Sequence, residues 1–267
     1  MARAGEAAMT SWSDRAKAPP VIVAEDTDAL IEATADRVTE LLSEAVRSRG
    51  VASLALAGGR TPQALYRLLA KRPSEGRPPW SCVRLFMGDE RWVPADHADS
   101  NQRMVRESLL TGLRDSPAFY PMPTDGTDPA LDAVRYQACL AREVPECDGD
   151  LPRFDLILLG MGEDGHTASL FPGTAILDEQ ATVAAVHVPK FDSWRLSLTL
   201  PVLNAARHVL FLVTGADKAA TLARVLGGGP RRDLPASLVN PREGEVEWHL
   251  DRPAAALLGA LLPEPDS

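Results

Sequence analysis

The chain has 267 residues, 45% hydrophobic and 24% charged, enough apolar material for a full core without disulfide or metal staples. Its 28 Lys and Arg against 37 Asp and Glu leave a formal charge of −9, which weighs against nucleic acid and anionic membrane as partners, since both demand basic faces. A small anionic ligand stays open, provided that donors cluster locally against the overall field.

Residues 1–19 are small and polar and lack the apolar run of a signal peptide; a disordered tail is expected there, followed by one domain over 20–267. Val21–Ala24 is a short apolar run, and Asp26 to Arg49 carries apolar residues at helical spacing. Strand-like runs follow at Val51–Ala57, Val83–Met87, Phe154–Leu159, Thr182–Val188, Trp194–Leu200 and His208–Val213. Helical patterns lie between them at Thr61–Ala70, Ser100–Leu110, Asp128–Arg142, Ala216–Leu226 and Pro253–Leu262. Near-continuous apolar strands alternating with helices predict an α/β fold, a mainly parallel sheet flanked by helices. No run reaches the ~20 apolar residues of a membrane span. Cys82, Cys139 and Cys147 form no CxxC pair, which reads as reduced thiols in a cytoplasmic protein.

Open parallel sheets bind ligands at the carboxyl ends of their strands, so chemistry is sought just after each strand. Four junctions stand out. The first, Ala57-Gly58-Gly59-Arg60-Thr61-Pro62, joins two glycines that permit close backbone approach to a helix start, with Thr61 expected as its cap and Pro62 at the first helical position. Free N–H groups and the Arg60 fork suit phosphate there; a plain capped turn is the simpler reading. The second, Gly88-Asp89-Glu90-Arg91-Trp92-Val93-Pro94, ends a strand in charge, which is costly to bury unless paired or used. Asp89 and Arg91 face one side of extended backbone, where they meet a ligand or form a mutual salt bridge. Ser100 is expected to cap the next helix, with Asn101 in its first turn.

The third junction runs from Gly160 to Pro172, and Gly160–Gly165 matches G-x-G-x-x-G literally. A dinucleotide site needs a helix of about a dozen residues opening at the third glycine, then a strand ending in an acidic residue. Pro172 and Gly173 break the chain too early, and Asp178 and Glu179 precede the next strand. What remains is a tight polar loop carrying His166, whose imidazole can serve as base and then acid near neutral pH, unless it is an ordinary surface or core histidine. The fourth, Thr214-Gly215-Ala216-Asp217-Lys218, puts a lysine in a helix's first turn against the dipole, offset by Asp217 or by a bound anion; a solvated lysine is the plainer reading. Arg195 sits inside a strand-like run and points into the same cleft or lies on an edge. His97, His187, His208 and His249 show no metal-ligand spacing, and no GxSxG elbow exists.

Taken together, GGRTP (58–62), GDERWVP (88–94) with SNQRM (100–104), GMGEDGHTASLFPG (160–173), WRLSLTLPVLNAA (194–206) and TGADKA (214–219) resemble the 6-phosphogluconolactonase family over roughly residues 20–262. The resemblance implies a single Rossmann-like domain without dinucleotide binding, and hydrolysis of 6-phospho-D-glucono-1,5-lactone to 6-phospho-D-gluconate in the oxidative branch of the pentose phosphate pathway. It implies no organic cofactor and no catalytic metal. The family's general base falls on His166, with Asp89 and Arg91 beside it in the catalytic set. Substrate-binding positions fall on Gly58, Gly59, Arg60, Thr61, Gly165, Arg195 and Lys218. Ala57 departs from the serine often found before the two glycines, which alters one loop hydrogen bond. The only partner expected is the small sugar-phosphate lactone, bound by a monomer or weak homodimer in the cytoplasm.

Such a site must hold the phosphate, place a water and accept its proton. His166 is the expected base, with N–H groups of the Gly162–His166 loop or Arg91 steadying the oxyanion. Glucosamine-6-phosphate deaminases are similar in fold but carry Gly-Ser-Thr-Pro, Asp-Glu-Tyr and Asp-Gly-His-Ile-Ala-Phe-Asn-Glu-Pro at the first three junctions. Arg60, Arg91 and Thr167-Ala-Ser-Leu-Phe-Pro172 differ from that pattern in each case. A non-catalytic sugar-phosphate sensor would not need His166, and this chain has no basic helix–turn–helix segment to go with one.

Overall fold

A computed structural model describes residues 19–259. In chain order its elements are β1 (Val21–Ala24), α1 (Thr27–Arg49), β2 (Ala52–Leu56), α2 (Arg60–Lys71), β3 (Val83–Met87), β4 (Asp89–Arg91), α3 (Asn101–Ser108), β5 (Ala118–Tyr120), α4 (Pro129–Glu143), β6 (Cys147–Asp148), β7 (Leu151–Pro152), β8 (Leu156–Leu159), β9 (Val183–Val188), β10 (Ser193–Leu198), α5 (Leu200–Leu203), β11 (His208–Val213), α6 (Ala219–Gly227), β12 (Glu245–Asp251) and α7 (Arg252–Ala255). Seven strands form one sheet in the order β1-β12-β11-β8-β2-β3-β5. Every neighbouring pair in it is parallel. The α/β expectation therefore holds.

The strands read as apolar runs because helices cover both faces of such a sheet. All five residues of β2 and all four of β8 are buried. Helix α1 opens on Asp26, whose side chain accepts from the Ala29 N–H at 2.8 Å, and closes on Gly50 in the left-handed region at φ 79°.

Strand order reverses between β2 and β8. From β2 the chain builds outward through β3 to β5; from β8 it builds the other way through β11 to β12. The crevice at such a switch point, beyond the carboxyl ends of the strands, is where a ligand fits. A second sheet, β4-β10-β9, is antiparallel and roofs that end. Its first strand starts two residues after β3, which carries the Asp89–Arg91 segment over the crevice in extended geometry.

Besides the short β6, β7 and α5, three differences from expectation concern the main sheet and the last helix. Strand β12 was not foreseen, because Glu245, Glu247 and His249 interrupt its apolar residues; yet it lies between β1 and β11 with Trp248 fully buried. The short strand β5 also went unforeseen: it contributes three residues at the sheet's edge. The helix expected over Pro253–Leu262 is only the four residues of α7, for Leu257 is 60% exposed and offers no packing face to extend it. Residues 260–262 of that expectation lie outside the described residues, as does the expected N-terminal tail apart from Pro19. No helix among the described residues is long and apolar enough to cross a membrane. Cys82, Cys139 and Cys147 are free.

Candidate active site

A cavity of about 200 Å³ opens at the switch point, walled by Gly58 and Gly59 after β2, Asp89 and Arg91 on β4, His166 after β8 and Arg195 on β10. Four sequence segments distant from one another thus converge, three from beyond the carboxyl ends of β2, β3 and β8 and the fourth from within β10.

The His166 loop is closed by its own backbone. Gly162 N–H donates to the His166 carbonyl at 2.9 Å and Gly165 N–H to the Gly162 carbonyl at 3.0 Å. Gly165 takes φ 77°, the left-handed region, and a Cβ on Gly162 would collide with the His166 ring. The ring stacks on Phe171 with centroids 4.0 Å apart. Its Nδ1 lies 2.5 Å from Asp164 Oδ1. That pairing assigns the proton to Nδ1 and leaves Nε2, which has no hydrogen-bond partner among the described residues, as the acceptor. The hydrogen bond from His166, working against burial, holds the Asp164 carboxyl well below the usual carboxylate range, and Lys190 Nζ at 3.2 Å adds to the effect. Asp164 therefore stays ionised beside a ring that can take a second proton.

Arg91 and Arg195 stand directly opposite one another in the antiparallel β4–β10 register. Facing like charges on neighbouring strands destabilise a sheet unless something between them answers the charge. Arg91 Nη1 donates to the Asp99 carbonyl at 2.6 Å, while the Nε atoms of both arginines are buried without a partner. The Arg195 guanidinium lies 5.6 Å from the Phe171 ring centroid and 5.1 Å from that of Phe191. Burial, with Arg91 adding and Asp89 opposing, draws its pKa below the ordinary arginine value. Two cations with unused donors on one cavity wall suit a dianionic group.

Below them, Asp89 Oδ2 accepts from Ser169 Oγ at 2.7 Å, and Asn101 Nδ2 donates to the Asp89 carbonyl at 3.0 Å. No Asp89–Arg91 ion pair forms, so the mutual salt bridge is not how this turn is satisfied. Glu90 is fully buried and accepts from the N–H groups of Arg91, Asn101 and Gln102 at 2.7–2.8 Å. It clamps the N-terminus of α3, capped by Ser100 as expected, against β4. Burial pushes Glu90 up to about 7 although those three hydrogen bonds pull it down.

The remaining expected residues lie one layer out. Helix α2 begins at Arg60 and is capped at Gly59, in the left-handed half of φ at 104°; Thr61 is inside the helix and pairs instead with Thr214 Oγ1 at 2.9 Å, joining the first and fourth junctions. Thr61 is thus not the cap that the sequence suggested: Gly59 already supplies the turn. Arg60 lines an adjoining cavity of about 300 Å³ that shares Gly59, Arg91 and Asn101 with the first. Gly165 packs on Leu234. Lys218 ends a short 3₁₀ turn before α6, with its Nζ 3.0 Å from Asp217 and 3.5 Å from Glu163. Two contributors escaped sequence reasoning. Asp164 precedes His166 by two residues, a spacing that signals a local turn partner; Asn101 lines the cavity from a position expected only to start a helix. Among the described residues, the group at metal-ligand distances is His208, Glu245 and Glu247, at the amino ends of β11 and β12; Glu247 there is already engaged by Arg37.

The family model described as glucosamine-6-phosphate isomerases/6-phosphogluconolactonase matches residues 25–248. A 6-phosphogluconolactonase of Synechocystis sp. is 42% identical over 244 residues, covering 89% of this chain and 97% of its own. The structure of 6-phosphogluconolactonase from Trypanosoma brucei superposes with a TM-score of 0.76 at 32% identity, over 90% of this chain and 98% of that one. A monomeric glucosamine-6-phosphate deaminase shares the fold, with a TM-score of 0.73 at 22% identity over 89% of this chain and 99% of its own. The chain belongs to the glucosamine-6-phosphate isomerase/6-phosphogluconolactonase family.

Proposed function

We propose that this protein hydrolyses 6-phospho-D-glucono-1,5-lactone to 6-phospho-D-gluconate, with His166 as general base. The observation that carries the reading is the Asp164–His166 pair, with Nε2 free, on the wall of a cavity that also holds the facing guanidinia of Arg91 and Arg195. The lactonase names of the relatives support the same chemistry.

Arg91, Arg195 and the free N–H groups at the start of α2 hold the phosphate, with Gly58 and Gly59 allowing close approach. Arg60, Thr61, Gly165 and Lys218 border this anion site from the second layer, and Asp89 fixes the β4 turn through Ser169. Binding energy from the remote phosphate orients the lactone carbon. His166 Nε2 takes a proton from water as the water oxygen attacks the carbonyl carbon. The imidazolium, steadied by Asp164, returns the proton to the ring oxygen as the C–O bond breaks. The Gly162, Gly165 and His166 N–H groups are spent inside the loop, so the oxyanion falls to the Glu163 or Asp164 N–H or to a guanidinium N–H of Arg91 that the phosphate does not take.

The protein is further inferred to work in the cytoplasm, on its three free thiols, and as a monomer or weak homodimer. Residues 20–267 form the catalytic domain in this reading. A coupled assay with fresh lactone, corrected for spontaneous hydrolysis, tests the activity. Release of ammonia from glucosamine 6-phosphate would assign the chain to the other branch of the family. The His166→Ala protein should lose about 10²–10⁴-fold in kcat; a loss of only a few-fold would remove His166 from the role of base.

A further inference from the structure

The hairpin between β9 and β10 reaches over the His166 loop, and nothing in the reaction as described uses its tip. Lys190 Nζ lies 3.2 Å from Asp164 Oδ2, while Oδ1 of the same carboxylate holds His166 Nδ1. One carboxylate is thus shared between an imidazole and an ammonium group. The tip is well placed to keep this geometry although Lys190 itself is 61% exposed. Phe191 meets Phe171 edge to face at 5.9 Å, and Phe171 is the ring on which His166 stacks. Arg195 lies against both phenyl rings, and Lys190 Nζ is 5.4 Å from the Phe191 centroid. Asp192 turns the chain in the left-handed region at φ 44° and pairs with His187 Nε2 at 3.1 Å.

We propose that Lys190 is a positioning residue that sets the basicity of His166 through Asp164. A cation on the outer oxygen competes for the carboxylate's charge and so disfavours the imidazolium that the inner oxygen would stabilise. The tip thereby tunes how readily His166 accepts and returns its proton.

Other charged groups around the loop are already accounted for. Glu163 is met by Lys218, which also pairs with Asp217. Arg231 pairs with Asp233, and Arg232 with Asp178, on the segment that packs against Gly165 and on its neighbour. Arg91, Asp89 and Arg195 belong to the opposite cavity wall. Lys190 is the cation in ion-pair contact with Asp164.

The inference rests on His166 being the base, and its test separates the two ideas. The pH profile of kcat/KM and the NMR titration of the His166 ring are measured for the wild type and for Lys190→Met, Lys190→Glu and Lys190→Arg. Removing the cation raises the imidazole midpoint, so in Lys190→Met the acidic limb and the ring titration should both move up by about 0.2–0.7 pH unit. Lys190→Glu should move them further and Lys190→Arg should restore the wild-type curves. A ring titration that moves while the rate profile stays upholds the coupling and removes His166 from catalysis instead. Ring titrations that coincide in wild type, Lys190→Met and Lys190→Glu overturn the proposal.

Discussion

His166 is oriented by a residue of its own loop. Asp164 sits two positions upstream in a turn that glycines at 162 and 165 make possible, so base and orienter form from a single five-residue turn, Gly162–His166. Replacing Asp164 by Asn keeps the shape and removes the charge that stabilises the imidazolium. A kcat loss on the order of 10²-fold is expected, smaller than for deletion of the base, with the folded stability little changed; steady-state kinetics beside a thermal melt checks both. Arg195 makes a complementary case. It faces Arg91 across two strands with its Nε unpartnered, a cost that a bound phosphate relieves. Arg195→Met should therefore raise KM for the phosphorylated lactone about 10–100-fold, as expected for losing a charged hydrogen bond. Turnover of unphosphorylated gluconolactone should barely change, and the melting temperature should not fall. An equal loss on both lactones would show that Arg195 does not serve the phosphate. Residues such as His166, Asp89 and Arg91 were legible in the sequence because each lies in the polar segment that follows an apolar strand. The facing of Arg91 and Arg195 was not, because it depends on the pairing register of strands a hundred residues apart.

Elements announced themselves in proportion to how completely one face or both were apolar. Strands β2, β3 and β11 were found within a residue at each end because they are buried runs. Strand β12 hid behind its charges. His249 Nδ1 pairs with Thr34 of α1 at 3.0 Å, and Glu247 accepts from Arg37 of the same helix at 2.5–3.1 Å. Helix α1 thus supplies the partners that allow acidic residues into the sheet, a long-range fact that no local window contains. Burial raises the Glu247 pKa, but hydrogen bonds from His249 and Arg37 outweigh it and hold it at about 2. A carboxylate depressed on folding contributes stability that is present above its unfolded value near 4.5 and is lost as pH falls toward 2. Arg37→Met leaves Glu247 buried beside an apolar chain, so a loss of about 3 kcal/mol is expected at pH 7. Below pH 4 the gap between variant and wild type should narrow. Urea unfolding at pH 7 and pH 3.5 reads this directly; a constant gap would mean that the ion pair does not carry the linkage.

Across the whole molecule the two edges of the main sheet do different work. A protein of net charge −9 binds an anion where cations lack a carboxylate partner, and at the carboxyl edge neither Arg91 nor Arg195 makes an ion pair among the described residues, and each has a buried, unpartnered Nε. At the amino edge the half-buried cations Arg49 and Arg207 face a carboxylate. Asp155, just before β8, is 4% exposed and holds Arg49 at 2.6 Å, Arg207 at 3.6 Å, and both the N–H and the hydroxyl of Ser53 at 2.7 and 2.9 Å. It ties the end of α1 to two central strands. Asp155→Ala strips all these donors of their acceptor, and about 3 kcal/mol of stability should be lost. The cavity lies at the far ends of the same strands, about 13–17 Å away at 3.3 Å per residue over four or five residues. Below its melting range, the Asp155→Ala enzyme should keep kcat and KM within about twofold of wild type, because additivity holds for sites more than about 10 Å apart with no shared partners. A changed KM with little loss of stability would mean instead that the β2 and β8 strands transmit strain from one edge to the other, and that the anion site depends on the ion-pair network beneath it.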